Sequence, residues 1–136
     1  DGDDQEREVD VVLAVPRAGR QLLVPLREVI QHLEVLVDRA KARVENIVLH
    51  CGISICGPCY EVGCEVMAGC GLPAEGAGPW HADLRAVVAE RARKLGLSTI
   101  STSQFCSAHD RAMFYSHRAS GGSDGRMVAY LGILPK

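Results

Sequence analysis

The run Val9-Asp10-Val11-Val12-Leu13-Ala14-Val15 reads as a strand buried on both faces. Its β-branched side chains crowd a helix, and a nearly continuous apolar stretch leaves no face for water. Pro16-Arg17-Ala18-Gly19-Arg20 breaks the run. Pro25 suits the first turn of a helix, where its missing N–H is not needed. Leu26, Val29, Ile30, Leu33, Leu36, Val37, Ala40 and Val44 then recur at three- and four-residue steps, predicting an amphipathic helix of about five turns. His32 lies beside this stripe as a boundary residue. Ile47-Val48-Leu49 is a second short strand.

Further along, Glu61 to Ala68 is predicted as a short helix and Gly69 to Pro79 as a loop. Asp83 can cap a helix whose apolar residues Leu84, Val87, Val88, Ala92 and Leu95 recur at helical spacing until Gly96 stops it. Leu97 to Ser103, Met113 to Arg118 and Met127 to Leu134 are predicted strands. The last two are joined through Ser120-Gly121-Gly122-Ser123-Asp124-Gly125, a loop rich in residues that accept positive φ. This order predicts an α+β fold, a mixed β-sheet sandwich flanked by helices. It forms one domain over 9–136 behind a disordered acidic lead-in at 1–8. Asp1, standing where a methionine would, sets the expectation of a processed form or a fragment.

At 136 residues, with 47% hydrophobic and 24% charged, the chain suits a single core that buries roughly two thirds of the unfolded surface. The net charge of -2 and pI near 6.2 give no electrostatic footprint for nucleic acid or an anionic membrane. Arg39, Lys41 and Arg43 read as a solvated helix face. The longest apolar run is far short of the roughly 20 residues that span a bilayer, and no signal core follows a cationic start. A cytoplasmic protein with reduced thiols is expected, rather than a disulfide framework built from the six cysteines.

Cys56-Gly57-Pro58-Cys59 matches the tetrapeptide of a dithiol oxidoreductase, whose attacking thiol sits at a helix N-terminus. The expected companions are missing. No Trp-Cys pair precedes it, and neither Pro73 nor Pro79 is expected to lead into a strand. Cys51, Cys56, Cys59, Cys64 and Cys70 lie close together with His50, but they do not form the paired CxxC of a zinc ribbon, and a single CxxC supplies half a site. The plainer reading makes most of these thiols small packing groups. Cys106 lies three residues before His109, with His117 nearby, which is the composition of a Cys/His nucleophile pair without proof of reach.

GPCYEVG at 57 to 63, Asp83-Leu84-Arg85 opening a helix, Cys106-Ser107 after a strand, Phe114-Tyr115-Ser116-His117-Arg118, and Gly125-Arg126-Met127 before the closing strand occur in one order. Together, across 52–136, they resemble the C-terminal half of the laccase-domain family, also called polyphenol-oxidase-like or peptidoglycan editing factor proteins. Members include zinc-dependent purine nucleoside phosphorylases that also deaminate adenosine. One departure is at Gly52-Ile53-Ser54-Ile55-Cys56, where the family typically has Gly-Pro-x-Ile-Gly.

The resemblance implies a small-molecule nucleoside and phosphate as partners, and leaves room for a homo-oligomer. It implies zinc as cofactor, with copper-dependent phenol oxidation as the alternative. The implied substrate contacts are Tyr115, Arg118, Arg126 and Cys59; no catalytic residue is identified. In the family a His-Cys-His set holds the metal, and its last histidine opens a turn that matches Pro16-Arg17-Ala18-Gly19-Arg20-Gln21 here. Neither proline nor a guanidinium can replace that histidine, so no metal ligand of the family set is expected in this chain. It is then a fragment, a degenerate relative, a piece of a site completed by another chain, or a non-catalytic binding module that has kept the fold.

Overall fold

Ile47, Leu49 and Cys51 are fully buried, while Val48 and His50 between them are partly exposed. This is the alternation of a strand with one face on the core. The computed structural model describes residues 9–13, 31, 34, 44–125 and 127. Within them run β1 (Val9–Leu13), β2 (Ile47–Cys51), β3 (Glu61–Val62), α1 (Cys64–Cys70), β4 (Trp80–His81), α2 (Leu84–Lys94) and β5 (Thr99–Thr102). Short 3-10 turns occupy Val44–Asn46 and Gly57–Cys59.

β2 lies between two parallel neighbours. β1 pairs from Val9 beside Ile47 to Leu13 beside Cys51, and β5 from Val48 beside Thr99 to Cys51 beside Thr102. Parallel neighbours need a long crossover, and the one between β2 and β5 carries α1 and α2, with α2 packed back onto both strands. β3 and β4 form a separate antiparallel pair, with Glu61 beside His81 and Val62 beside Trp80. Parallel and antiparallel pairs with helices against them make the fold α+β, as expected. Tyr60, Val62, Met67, Leu84, Val88, Ala92 and Leu97 close the core over β2.

α2 follows its sequence signals closely. The Asp83 carboxylate accepts from Ala86 N–H at 3.1 Å, an N-cap that satisfies one of the helix's orphan donors. At the other end Gly96 adopts φ 98°, Gly96 N–H donates to Arg93 O at 2.9 Å and Leu97 N–H to Ala92 O at 3.1 Å. These are the paired bonds of a Schellman closure, which only glycine makes without strain. Asp83→Ala should lower unfolding free energy by about 1 kcal/mol, while Asp83→Asn should keep most of it. Chemical denaturation of the two variants checks this.

Other expectations need correcting. Glu61 and Val62 are not helical; they pair with β4, and the helix starts only at Cys64, after Gly63. Pro79, joined to Gly78 by a cis peptide bond, does lead directly into a strand, β4. Met113 to Arg118 is a series of turns, not a strand. Its donors are met locally: Met113 and Phe114 N–H donate to Asp110 O, and Ser116 N–H to the Asp124 carboxylate at 2.8 Å. Three of the six N–H groups that a ladder would use are thereby taken. The strand at 97–103 contracts to Thr99–Thr102. The lead-in, the helix centred on residues 26–44 and the strand from 127 to 134 lie wholly or largely outside the described residues. None of the described helices is long and apolar enough to cross a membrane.

Candidate functional site

Two loops leave the C-terminal ends of neighbouring strands β2 and β5. The first turns through Cys56-Gly57-Pro58-Cys59, where Cys59 N–H donates to Cys56 O at 3.2 Å and Tyr60 N–H to Gly57 O at 3.0 Å. Pro58 presets the backbone angle of this turn. A Cβ at residue 57 would lie 3.1 Å from Asp83 Cβ, so glycine is what lets the turn pack against the start of α2. The second loop is pinned by Arg85, which donates to Ser103 O and Phe105 O, each at 2.9 Å. Cys106 N–H donates to the Asp110 carboxylate and Asp110 N–H returns to Cys106 O, both at 2.8 Å. Ser107 N–H donates across to Ser54 O at 3.1 Å, joining the two loops.

This junction gathers Cys56, Cys59, Cys106 and His109, whose ligand atoms all lie within 4.8 Å of one another. His109 Nδ1 is 3.7 Å from the sulfurs of both Cys56 and Cys59, and Nε2 is 3.3 Å from Cys59 Sγ. Burial acts to raise the Cys106 thiol, but N–H donors of Cys56, His109 and Ala108 outweigh it and bring the thiol down to about 6. Burial, the Cys56 thiol and the charge on Cys106 push Cys59 up to about 11. Cys59 and Cys106 thus shift in opposite directions, because negative charge on one opposes it on the other.

The dithiol reading loses its physical basis here. The CGPC turn runs into β3, and α1 begins only at Cys64, so no helix N-terminus activates the pair. Cys56 and Cys59, by sequence no more than half of a possible site, are met here by Cys106 and His109, which the sequence offers as a Cys/His nucleophile pair. Each half follows a predicted strand, and that was the signal that could have joined them.

The residues implied as substrate contacts separate. Cys59 belongs to the thiol-imidazole junction. Arg118 is exposed, with its guanidinium 5.3 Å from the ring centroid of the buried Tyr60, the next residue after Cys59. Tyr115 is 56% exposed, and its ring lies over Gly125. Arg126 lies outside the described residues. The segment carrying Tyr115 and Arg118 is braced by Asp124, which pairs with Arg111 at 3.1 Å and accepts from Ser116 N–H. Elsewhere, His50 is hydrogen-bonded to Ser101 Oγ at 2.8 Å.

The family model described as "Multi-copper polyphenol oxidoreductase laccase" matches residues 8–134. A curated protein of Deinococcus radiodurans named purine nucleoside phosphorylase is 36% identical over 100 residues, covering 68% of this chain and 38% of the relative. The chain therefore spans well under half of that relative's length. Two solved structures share the fold. YlmD from Geobacillus stearothermophilus superposes with a TM-score of 0.66 at 22% identity, over 79% of this chain and 44% of that one. The Bacillus licheniformis hypothetical protein YfiH gives 0.64 at 20% identity, over 77% and 43%.

Proposed function

Because this chain belongs to the multi-copper polyphenol oxidoreductase laccase family, we propose that it is the nucleoside- and phosphate-contacting part of a purine nucleoside phosphorylase-type domain. The observation that carries this reading is the exposed Arg118 guanidinium held over buried Tyr60, where the GPCYEVG and FYSHR segments meet. The name of the Deinococcus radiodurans relative supports the substrate class. In phosphorolysis a phosphate oxygen bonds to the ribosyl carbon as the bond to the purine nitrogen breaks. Arg118 offers a planar fork of donors to phosphate oxygens. The exposed ring of Tyr115 offers a face for the base.

The zinc implied by the family does not fit the donor chemistry of Pro16–Gln21, which contains no histidine. No step is assigned to that ion, and turnover by this chain alone is not expected. A phenol-oxidising copper cluster calls for several histidines together. Among the described residues His109 is the one histidine in a group of three or more metal donors, so nucleoside binding is the better reading. Calorimetric titration with inorganic phosphate and with inosine should show binding of both, and Arg118→Ala should weaken phosphate binding about tenfold. An unchanged phosphate affinity in that variant would contradict the reading, and hypoxanthine release from inosine by the chain alone would make it a complete catalyst instead of part of one.

A further inference from the structure

We propose that Cys56, Cys59, Cys106 and His109 form a closed structural zinc site that clasps the loop after β2 to the loop after β5. It is independent of the nucleoside reading above, and none of its ligands comes from Pro16–Gln21. A tetrahedral zinc with bonds of about 2.3 Å to sulfur and 2.0 Å to nitrogen holds its ligand atoms about 3.5 to 3.8 Å apart. The separations of 3.3 and 3.7 Å between His109 nitrogens and the two sulfurs already approach that spacing. Little movement is needed to close the set around an ion, given the 4.8 Å that bounds all four.

The chemistry of the donors selects the ion. Three sulfurs and one imidazole are too soft for magnesium or calcium, which take oxygen, whereas zinc accepts sulfur and nitrogen in a tetrahedron without a redox partner. On binding, each sulfur that still carries a proton releases it to solvent. The thiolates and neutral imidazole then leave the centre with one net negative charge. Part of that charge is met by the protein: Cys56 N–H donates to Cys106 Sγ at 3.3 Å, and the N–H groups of Ala108 and His109 also donate to it. Such outer donors orient metal ligands. Since the chain fills all four positions, no coordination site is left for water or substrate, which marks a structural centre.

The clasp acts where few covalent neighbours can. Cys56 and Cys106 are 50 residues apart, and apart from the sulfur bond the loops share the Ser107–Ser54 backbone bond. Closing them fixes the turn that leads directly into Tyr60, and hence the seat of Arg118.

The test uses the whole chain, reduced, loaded with zinc chloride and desalted. One zinc per chain is expected by elemental analysis. Cys56→Ser and Cys106→Ser should each weaken zinc at least about a hundredfold, since even outer-ligand changes reach that range, while Cys64→Ser, at an exposed thiol outside the group, should not. His109→Cys should retain the metal, and its cobalt form should gain sulfur-to-metal charge-transfer absorption. Should the serine variants not fold, alkylation of the unmutated chain decides: zinc should shield Cys56, Cys59 and Cys106 from iodoacetamide and leave Cys64 reactive. Failure to retain zinc, wild-type affinity in Cys106→Ser, equal alkylation with and without zinc, or iron bound in preference to zinc would each overturn the proposal.

Discussion

Arg85→Ala is expected to lower unfolding free energy by about 3 to 4 kcal/mol, combining lost hydrogen bonds with a cavity. The side chain is 6% exposed, and one guanidinium nitrogen serves both Ser103 O and Phe105 O at 2.9 Å. These carbonyls cannot be exchanged for apolar groups, so removing the donor leaves both without it at a partly buried site. Arg85→Met should cost about half as much, because methionine refills the space and the buried charge, whose Nε has no partner, is removed as well. Both variants should also weaken metal retention, because Phe105 immediately precedes Cys106. Urea titration gives the first readout and zinc content the second; a loss below about 1 kcal/mol for Arg85→Ala would mean that the carbonyls find other donors.

Tyr60→Ala should be similarly severe, at about 3 to 5 kcal/mol. Tyr60 is 1% exposed and is the largest fully buried side chain among the described residues, and its ring is the surface on which the Arg118 guanidinium rests. Tyr60→Phe should lose only about 1 kcal/mol and separates the ring from the hydroxyl. The hydroxyl adds a pH effect. Burial raises its pKa from the usual 10.0, an effect partly opposed by the charge and hydrogen bond of Arg118. A raised value means that the folded state holds the proton more firmly. The associated stability is complete below pH 10.0 and disappears as pH rises through the folded value. Tyr60→Phe should therefore flatten this part of the alkaline unfolding curve; an unaltered curve would assign the slope to Cys51 and Cys70, whose thiols burial also raises.

What could be read from sequence was what local chemistry decides. α2 needed only its apolar spacing, Asp83 to begin it and Gly96 to end it, and all three operate within one or two turns. β2 was visible as Ile47-Val48-Leu49 but continues to Cys51, because pairing with β1 and β5 carries it on. Met113–Arg118 misled because its aromatic composition suits a strand, whereas the Asp124 carboxylate, reaching back along the chain, takes the Ser116 donor and holds a turn. Glu61-Val62 misled for the opposite reason, since its strand partner, Trp80-His81, lies beyond a loop.

In the sequence the four donors fall into two separate groups. Cys56 and Cys59 looked like half of a site, Cys106 and His109 like a nucleophile and its base. What unites them is strand order: β2 and β5 are hydrogen-bonded neighbours running in the same direction, so the loops at their C-terminal ends must emerge side by side. No spacing rule over a sequence separation of 50 contains that information.

X-ray absorption at the zinc edge of the loaded chain addresses the clasp most directly. Three sulfur neighbours at about 2.3 Å and one nitrogen at about 2.0 Å are expected in the first shell. A shell made only of oxygen and nitrogen, or one sulfur-poor enough to leave out Cys106, would contradict it.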